Sequence, residues 1–337
     1  MRRWLAFPLL LAIAGGAAFW ALTIPVPALP RKNYAELDRQ GDAMRGEQVF
    51  NAGGCAACHS TPGQADRLKL GGGLGLPSPF GTFYVPNISP DPQDGIGAWS
   101  AGDLANAMLA GLSPSGEHYY PAFPFTTYAH AKIADIADLS AYLHSLAPVA
   151  GKVRAHGLPF PFNIRRGLGL WKRLFLDQSP VVADAARPAS WNRGHYLAEA
   201  LGHCAECHSP RNLAGAIVAG KRYSGGPNPE GKGMVPNITQ APDGLAKWSA
   251  DDIAELLKTG FTPEYDSVGG TMAAVVRNTA RLPEADRAAI AQYIKSLPAV
   301  AGMPRAAKAP KQAVSSLLDR RGHVQTVQPG ADLDLAR

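Results

Sequence analysis

The sequence predicts an all-α protein of two tandem, similar domains behind an N-terminal transmembrane helix. Three observations carry this prediction: an uncharged apolar stretch over residues 4–24, two Cys-x-x-Cys-His motifs at residues 55–59 and 204–208, and landmarks that recur 149 to 151 residues apart. At 337 residues the chain has room for two compact domains. Its 36 glycines and 29 prolines point to long, shaped loops between few regular elements. The formal charge of +6 is spread along the chain without a Lys/Arg run, so no nucleic-acid partner is expected.

The first element is the apolar stretch. After Arg2 and Arg3 no charge appears until Arg31, and the 21 residues between positions 4 and 24 are long enough to span a bilayer. Arginines ahead of the stretch put the N-terminus in the cytoplasm and the rest of the chain outside it. Residues 1–30 are therefore read as a single anchor in the bacterial cytoplasmic membrane, with the remainder in the periplasm. The competing reading is a cleaved signal peptide, for which Ala12-Ile13-Ala14 is a weak site placed too early.

Two copies of one unit follow, read as 38–147 and 188–299. Cys55 and Cys204 are offset by 149 residues, Val85-Pro86-Asn87-Ile88 and Val235-Pro236-Asn237-Ile238 by 150, Trp99-Ser100 and Trp248-Ser249 by 149, and Gly111 and Gly260 by 149. Such constancy marks a tandem duplication. A short helix from Gly46, and another from Gly194, leads into each motif. Ser100-Ala101-Gly102-Asp103 and Ser249-Ala250-Asp251-Asp252 have the form of a helix N-cap. Helical spacing of Ile136, Leu139, Leu143 and Leu146, and of Ile290, Ile294 and Leu297, predicts the last helix of each unit. No run alternates as a strand would. Residues 148–187, with Leu158-Pro159-Phe160-Pro161-Phe162 and Arg165, Arg166, Trp171, Lys172 and Arg173, are too apolar for a free linker. They are expected to pack across both domains or against a partner, or to form an amphipathic connecting helix. Residues 300–337 have little periodicity and read as a mobile tail.

Cys55-Ala56-Ala57-Cys58-His59 and Cys204-Ala205-Glu206-Cys207-His208 are c-type haem attachment motifs: two thiols spaced to add to the two vinyl groups of one porphyrin, with an imidazole beside the second thiol to ligate iron. Two covalently bound haem c groups follow, on Cys55 and Cys58 and on Cys204 and Cys207, with His59 and His208 as axial ligands. A Cys₄ zinc site would need a shorter spacer, a thioredoxin-like pair would need a βαβ context, and disulfides inside Cys-x-x-Cys loops would be strained.

The sixth ligands differ. In the second unit Met272 is the candidate, ahead of Met234, since thioether ligation raises the potential into the range of an electron carrier. The same register in the first unit falls on Phe123, which cannot ligate. His118 and His130, and then Met108, are the remaining donors there, or the iron stays open.

Phe83-Tyr84-Val85-Pro86-Asn87-Ile88-Ser89-Pro90-Asp91, Gly95-Ile96-Gly97-Ala98-Trp99-Ser100 and Tyr120-Pro121-Ala122-Phe123-Pro124-Phe125-Thr126-Thr127-Tyr128 resemble the membrane-anchored multihaem cytochrome c subunits of bacterial periplasmic dehydrogenases. These include the subunits of alcohol, aldehyde and gluconate dehydrogenases and of nicotinate- and isoquinoline-type molybdenum hydroxylases. The resemblance covers most of residues 38–299. Several of those relatives have three haem domains, and many have Met where Phe123 stands. The resemblance implies two cytochrome c-like domains, a catalytic dehydrogenase partner, and a quinone, soluble cytochrome or terminal oxidase as acceptor. It also supports Met272 as a ligand. No nucleotide loop, Gly-x-Ser-x-Gly elbow or His-Glu-x-x-His is found, so a non-catalytic electron-transfer subunit is expected. The alternative is a di-haem enzyme, a peroxidase or an oxidoreductase of small sulfur compounds, reacting at the first haem. A haem-based sensor would need an output domain.

Overall fold

The computed structural model describes residues 2–229, 231 and 233–303, apart from the side chains of residues 2–6. From residue 304 on, the segment read above as a mobile tail lies outside the described residues.

Helix α1 (Arg2–Leu22) opens the chain and corrects the first expectation. Among the described residues no helix is long and apolar enough to cross a membrane. Pro8, Gly15 and Gly16 interrupt the run of large apolar side chains along α1. The end of α1 is tied to the folded body, where Trp20 O accepts from Arg166 Nη2 (3.0 Å), Leu22 O from Arg173 Nε (2.6 Å) and Thr23 O from His118 Nε2 (3.0 Å).

The rest is mostly helical. The first copy contains α2 (Tyr34–Asp38), α3 (Ala43–Ala52), α4 (Cys55–His59), the antiparallel pair β1 (Gly75–Ser78) and β2 (Gly81–Tyr84), α5 (Ala101–Ala110), α6 (Phe125–Tyr128) and α7 (Ile133–Ser145). Helix α8 (Leu168–Phe175) lies in the connecting segment. The second copy contains α9 (Ala189–Tyr196), α10 (Cys204–His208), β3 (Gly226–Pro227) paired with β4 (Met234–Val235), α11 (Ala250–Thr259), α12 (Gly270–Thr279) and α13 (Glu284–Lys295). The small hairpins are the departure from an all-α reading. They sit in Gly/Pro-rich loops, too short for alternation to show.

Each copy is built on one crossing of its first and last long helices, α3 on α7 and α9 on α13. A β-carbon on Gly46 would stand 2.0 Å from Asp138 O, and one on Gly194 would stand 1.9 Å from Ala289 O, so glycine alone lets these backbones touch. Beside each contact an arginine forks onto an aspartate: Arg45 onto Asp138 (2.7 and 2.8 Å) and Arg193 onto Asp286 (2.9 and 2.8 Å). After α9 the chain makes a π turn, Leu197–Leu201, which inserts one residue. That insertion accounts for the offset growing from 148 at Gly46 and Gly194 to 149 at the cysteines. Both capping boxes form, with Ser100 and Ser249 accepting from the backbone of Asp103 and Asp252.

The connecting segment touches both copies. Gln178 Nε2 donates to Leu109 O (2.9 Å), and Trp171 Nε1 donates to Ala214 O (2.8 Å). One continuous apolar cluster runs from Phe50, Leu104 and Leu143 to Leu197, Leu201 and Ile290.

Candidate cofactor sites

Each motif occupies a single helical turn, α4 or α10, which brings the two cysteines of the motif and its histidine together. The turn is entered through a left-handed residue, Gly54 (φ 63°) in one copy and His203 (φ 40°) in the other. All four thiols are free of disulfides. Burial pushes the Cys55 thiol up to about 12 and the Cys204 thiol up to about 11. Among the described residues no group of three or more His, Cys, Asp or Glu side chains could hold a metal ion.

The histidines carry the fit to haem. His59 Nδ1 donates to Pro86 O at 2.9 Å, and His208 Nδ1 donates to Pro236 O at 2.8 Å. Spending the Nδ1 proton on a carbonyl leaves Nε2 as a lone pair, the tautomer that an iron ligand requires. Burial drives the His59 pKa down to about 4, and moves His208 the same way, so both rings are neutral at physiological pH. The proline loops are themselves braced: Asn87 Nδ2 donates to Val149 O (2.6 Å) and Asn237 Nδ2 to Val300 O (2.8 Å). This support was missed in the sequence, although the recurrence of Val-Pro-Asn-Ile was its visible signal.

Met272 lies in the first turn of α12, half-buried and packed against the core. Met234 is 41% exposed in β4. In the first copy Phe123 sits among Tyr119, Phe125 and Tyr128, with ring centroids at 5.9, 6.4 and 5.7 Å. Met108 is buried in α5. His118 is buried too, its Nδ1 accepting from Lys172 Nζ at 3.1 Å while Nε2 donates to Thr23 O. His130 turns to the connecting segment, donating from Nδ1 to Ser179 O at 2.5 Å.

The two motif regions meet at a seam that sequence reasoning did not find. Glu206, inside the second motif, accepts from Thr126 (2.6 Å) and Thr127 (2.9 Å) of α6 and pairs with Arg211 (2.6 Å). His203 Nε2 donates to Gly53 O (3.2 Å), and Arg67 reaches Asn51 and Asn278 (2.8 Å each).

The sequence profile of the family described as cytochrome c matches residues 43–147 and 192–298. The chain is 52% identical over 303 residues to a "Diheme cytochrome c-type" protein of Cereibacter sphaeroides, covering 89% of this chain and all of that one. It is 42% identical to one of the subunits of the nicotinate dehydrogenase of Pseudomonas putida, over 75% of this chain and 21% of that one. It is 38% identical to the "Fructose dehydrogenase cytochrome subunit" of Gluconobacter japonicus, over 76% of this chain and 53% of that one. The chain thus spans about half or less of these two dehydrogenase-named relatives.

Proposed function

The chain belongs to the cytochrome c family and carries two covalently bound haem c groups, and on that premise we propose that it is the electron-transferring subunit of a dehydrogenase assembly. Bacterial cytochrome c domains are typically periplasmic, and the periplasm is the compartment assigned to it. Its domains span 38–147 and 188–299, joined by 148–187. When bound, haem c supplies one-electron chemistry between ferric and ferrous iron.

Cys55 and Cys58 hold one haem, and Cys204 and Cys207 the other, each pair of thiols adding to the vinyl groups. His59 and His208 give Nε2 to iron, held in that tautomer by Pro86 O and Pro236 O. Met272 is the sixth ligand of the second haem. The paired histidine-to-proline hydrogen bonds carry this reading, since two separate chain segments repeat the same tautomer control. The names of the relatives favour a cytochrome subunit over a peroxidase. The electron donor is a catalytic dehydrogenase subunit, and the acceptor a quinone, a soluble cytochrome or a terminal oxidase.

Met272→Ala should leave both haems attached while lowering one midpoint potential in a redox titration, because the thioether ligand is lost and the cysteine links remain. Unchanged potentials would remove Met272 from the ligand set. Co-purification tests the partner: a protein isolated from its native host without a catalytic dehydrogenase subunit would count against the assembly.

A further inference from the structure

We propose that the first haem site provides no protein donor where the second provides Met272, and that its aromatic-walled face takes up a neutral diatomic molecule such as carbon monoxide. This rests on the reading of Cys55, Cys58, His59 and Met272 given above.

The register is set by hydrogen bonds as well as by counting. Tyr119 N donates to Gly111 O (2.7 Å) as Val268 N does to Gly260 O (2.9 Å), and Ser113 N to Glu117 O (2.9 Å) as Thr262 N does to Asp266 O (2.8 Å). Four residues beyond these matched loops stand Phe123 and Met272. Phe123 is held edge-on to Tyr119 and tilted against Tyr128, whose hydroxyl donates to Gly53 O at 3.1 Å, two residues before Cys55. The aromatic wall therefore adjoins the first attachment turn.

Three of the competing donors, His118, His156 and Met108, are committed elsewhere among the described residues. His118 spends both ring nitrogens, on Thr23 O and Lys172 Nζ. His156 accepts the Tyr84 N–H at Nδ1 (3.1 Å), which puts its proton on Nε2 and removes the lone pair that iron would need. Met108 corresponds to Leu257, equally buried, so that position is a packing one in both copies. His130 is anchored through Nδ1 to Ser179 O of the connecting segment and keeps its Nε2 lone pair, so His130→Ala must leave the high-spin signal unchanged if the inference holds. His323 lies outside the described residues. With the Tyr128 hydroxyl donated to Gly53 O, the wall is mostly the ring surface of Phe123, Tyr119 and Tyr128, which suits a small neutral ligand.

The experiment uses the intact protein with its haem content counted chemically. In the oxidised state, electron paramagnetic resonance should show one high-spin and one low-spin haem, and the reduced protein should bind one equivalent of carbon monoxide. Phe123→Met should convert the high-spin signal to low-spin and abolish carbon monoxide uptake. Two low-spin haems without uptake in the unaltered protein would overturn the inference while leaving the electron-transfer reading intact. Fewer than two haems per chain would overturn the attachment reading itself, and this inference with it.

Discussion

Glu199 is a carboxylate closed in by three donors. It pairs with Arg222 and accepts from the hydroxyls of Tyr223 (2.7 Å) and Tyr293 (2.5 Å). Burial alone would raise its pKa and is the largest single influence, but Arg222 and the two hydroxyls together hold it below the ordinary value. The folded state thus binds fewer protons than the unfolded one as pH falls from the usual carboxylate range near ~4.3. Stability from Glu199 is fully present above that range and is lost as pH drops through the folded pKa. We expect the urea midpoint to fall on acidification below about pH 4, and Glu199→Gln to flatten that fall; an unchanged slope in the variant would remove Glu199 as its source. At this scale the sequence was legible where spacing alone carries the chemistry, as in the two motifs. It was illegible where the partner is a carbonyl or lies far along the chain. Pro86 O has no residue signature, and His118, a ligand candidate by sequence, is bound by residues 95 and 54 positions away.

Helix crossings show a balance of opposing effects. Alanine at Gly194 would gain about 1 kcal/mol of helix propensity, but its methyl would lie 1.9 Å from Ala289 O, and backbone must shift to relieve that. The clash wins, and Gly194→Ala should cost roughly 3 kcal/mol in denaturant unfolding. Gly220→Ala, with nothing within 4 Å of the added carbon, is the control. A Gly194→Ala protein as stable as the parent would show that the crossing can open without loss. The capping boxes could be read from Ser-x-x-acid because that signal is local. The π turn could not, since one inserted residue alters no composition and shows only as a drift in offset. The N-terminal stretch misled for a different reason: it was counted as one apolar run, although Pro8, Gly15 and Gly16 break the run, and the end of α1 is tied to Arg166 and Arg173 of the folded body.

Across the whole molecule, the two copies are locked at their motif regions. Glu206 is nearly buried, and removing it would strand Arg211 and the Thr126 and Thr127 hydroxyls. Glu206→Ala should therefore lower unfolding free energy by about 3 kcal/mol and separate the single transition into two, visible in calorimetry. A single undiminished transition would show that the seam does not couple the halves. Gly53, whose carbonyl receives both His203 and Tyr128, lies against Cys55, since a carbon added to Gly53 would be 3.5 Å from its Sγ. The residues that tie the copies together are thus neighbours of the residues that take up the first cofactor, so the attachment turn serves as a hinge point of assembly as well as a binding point.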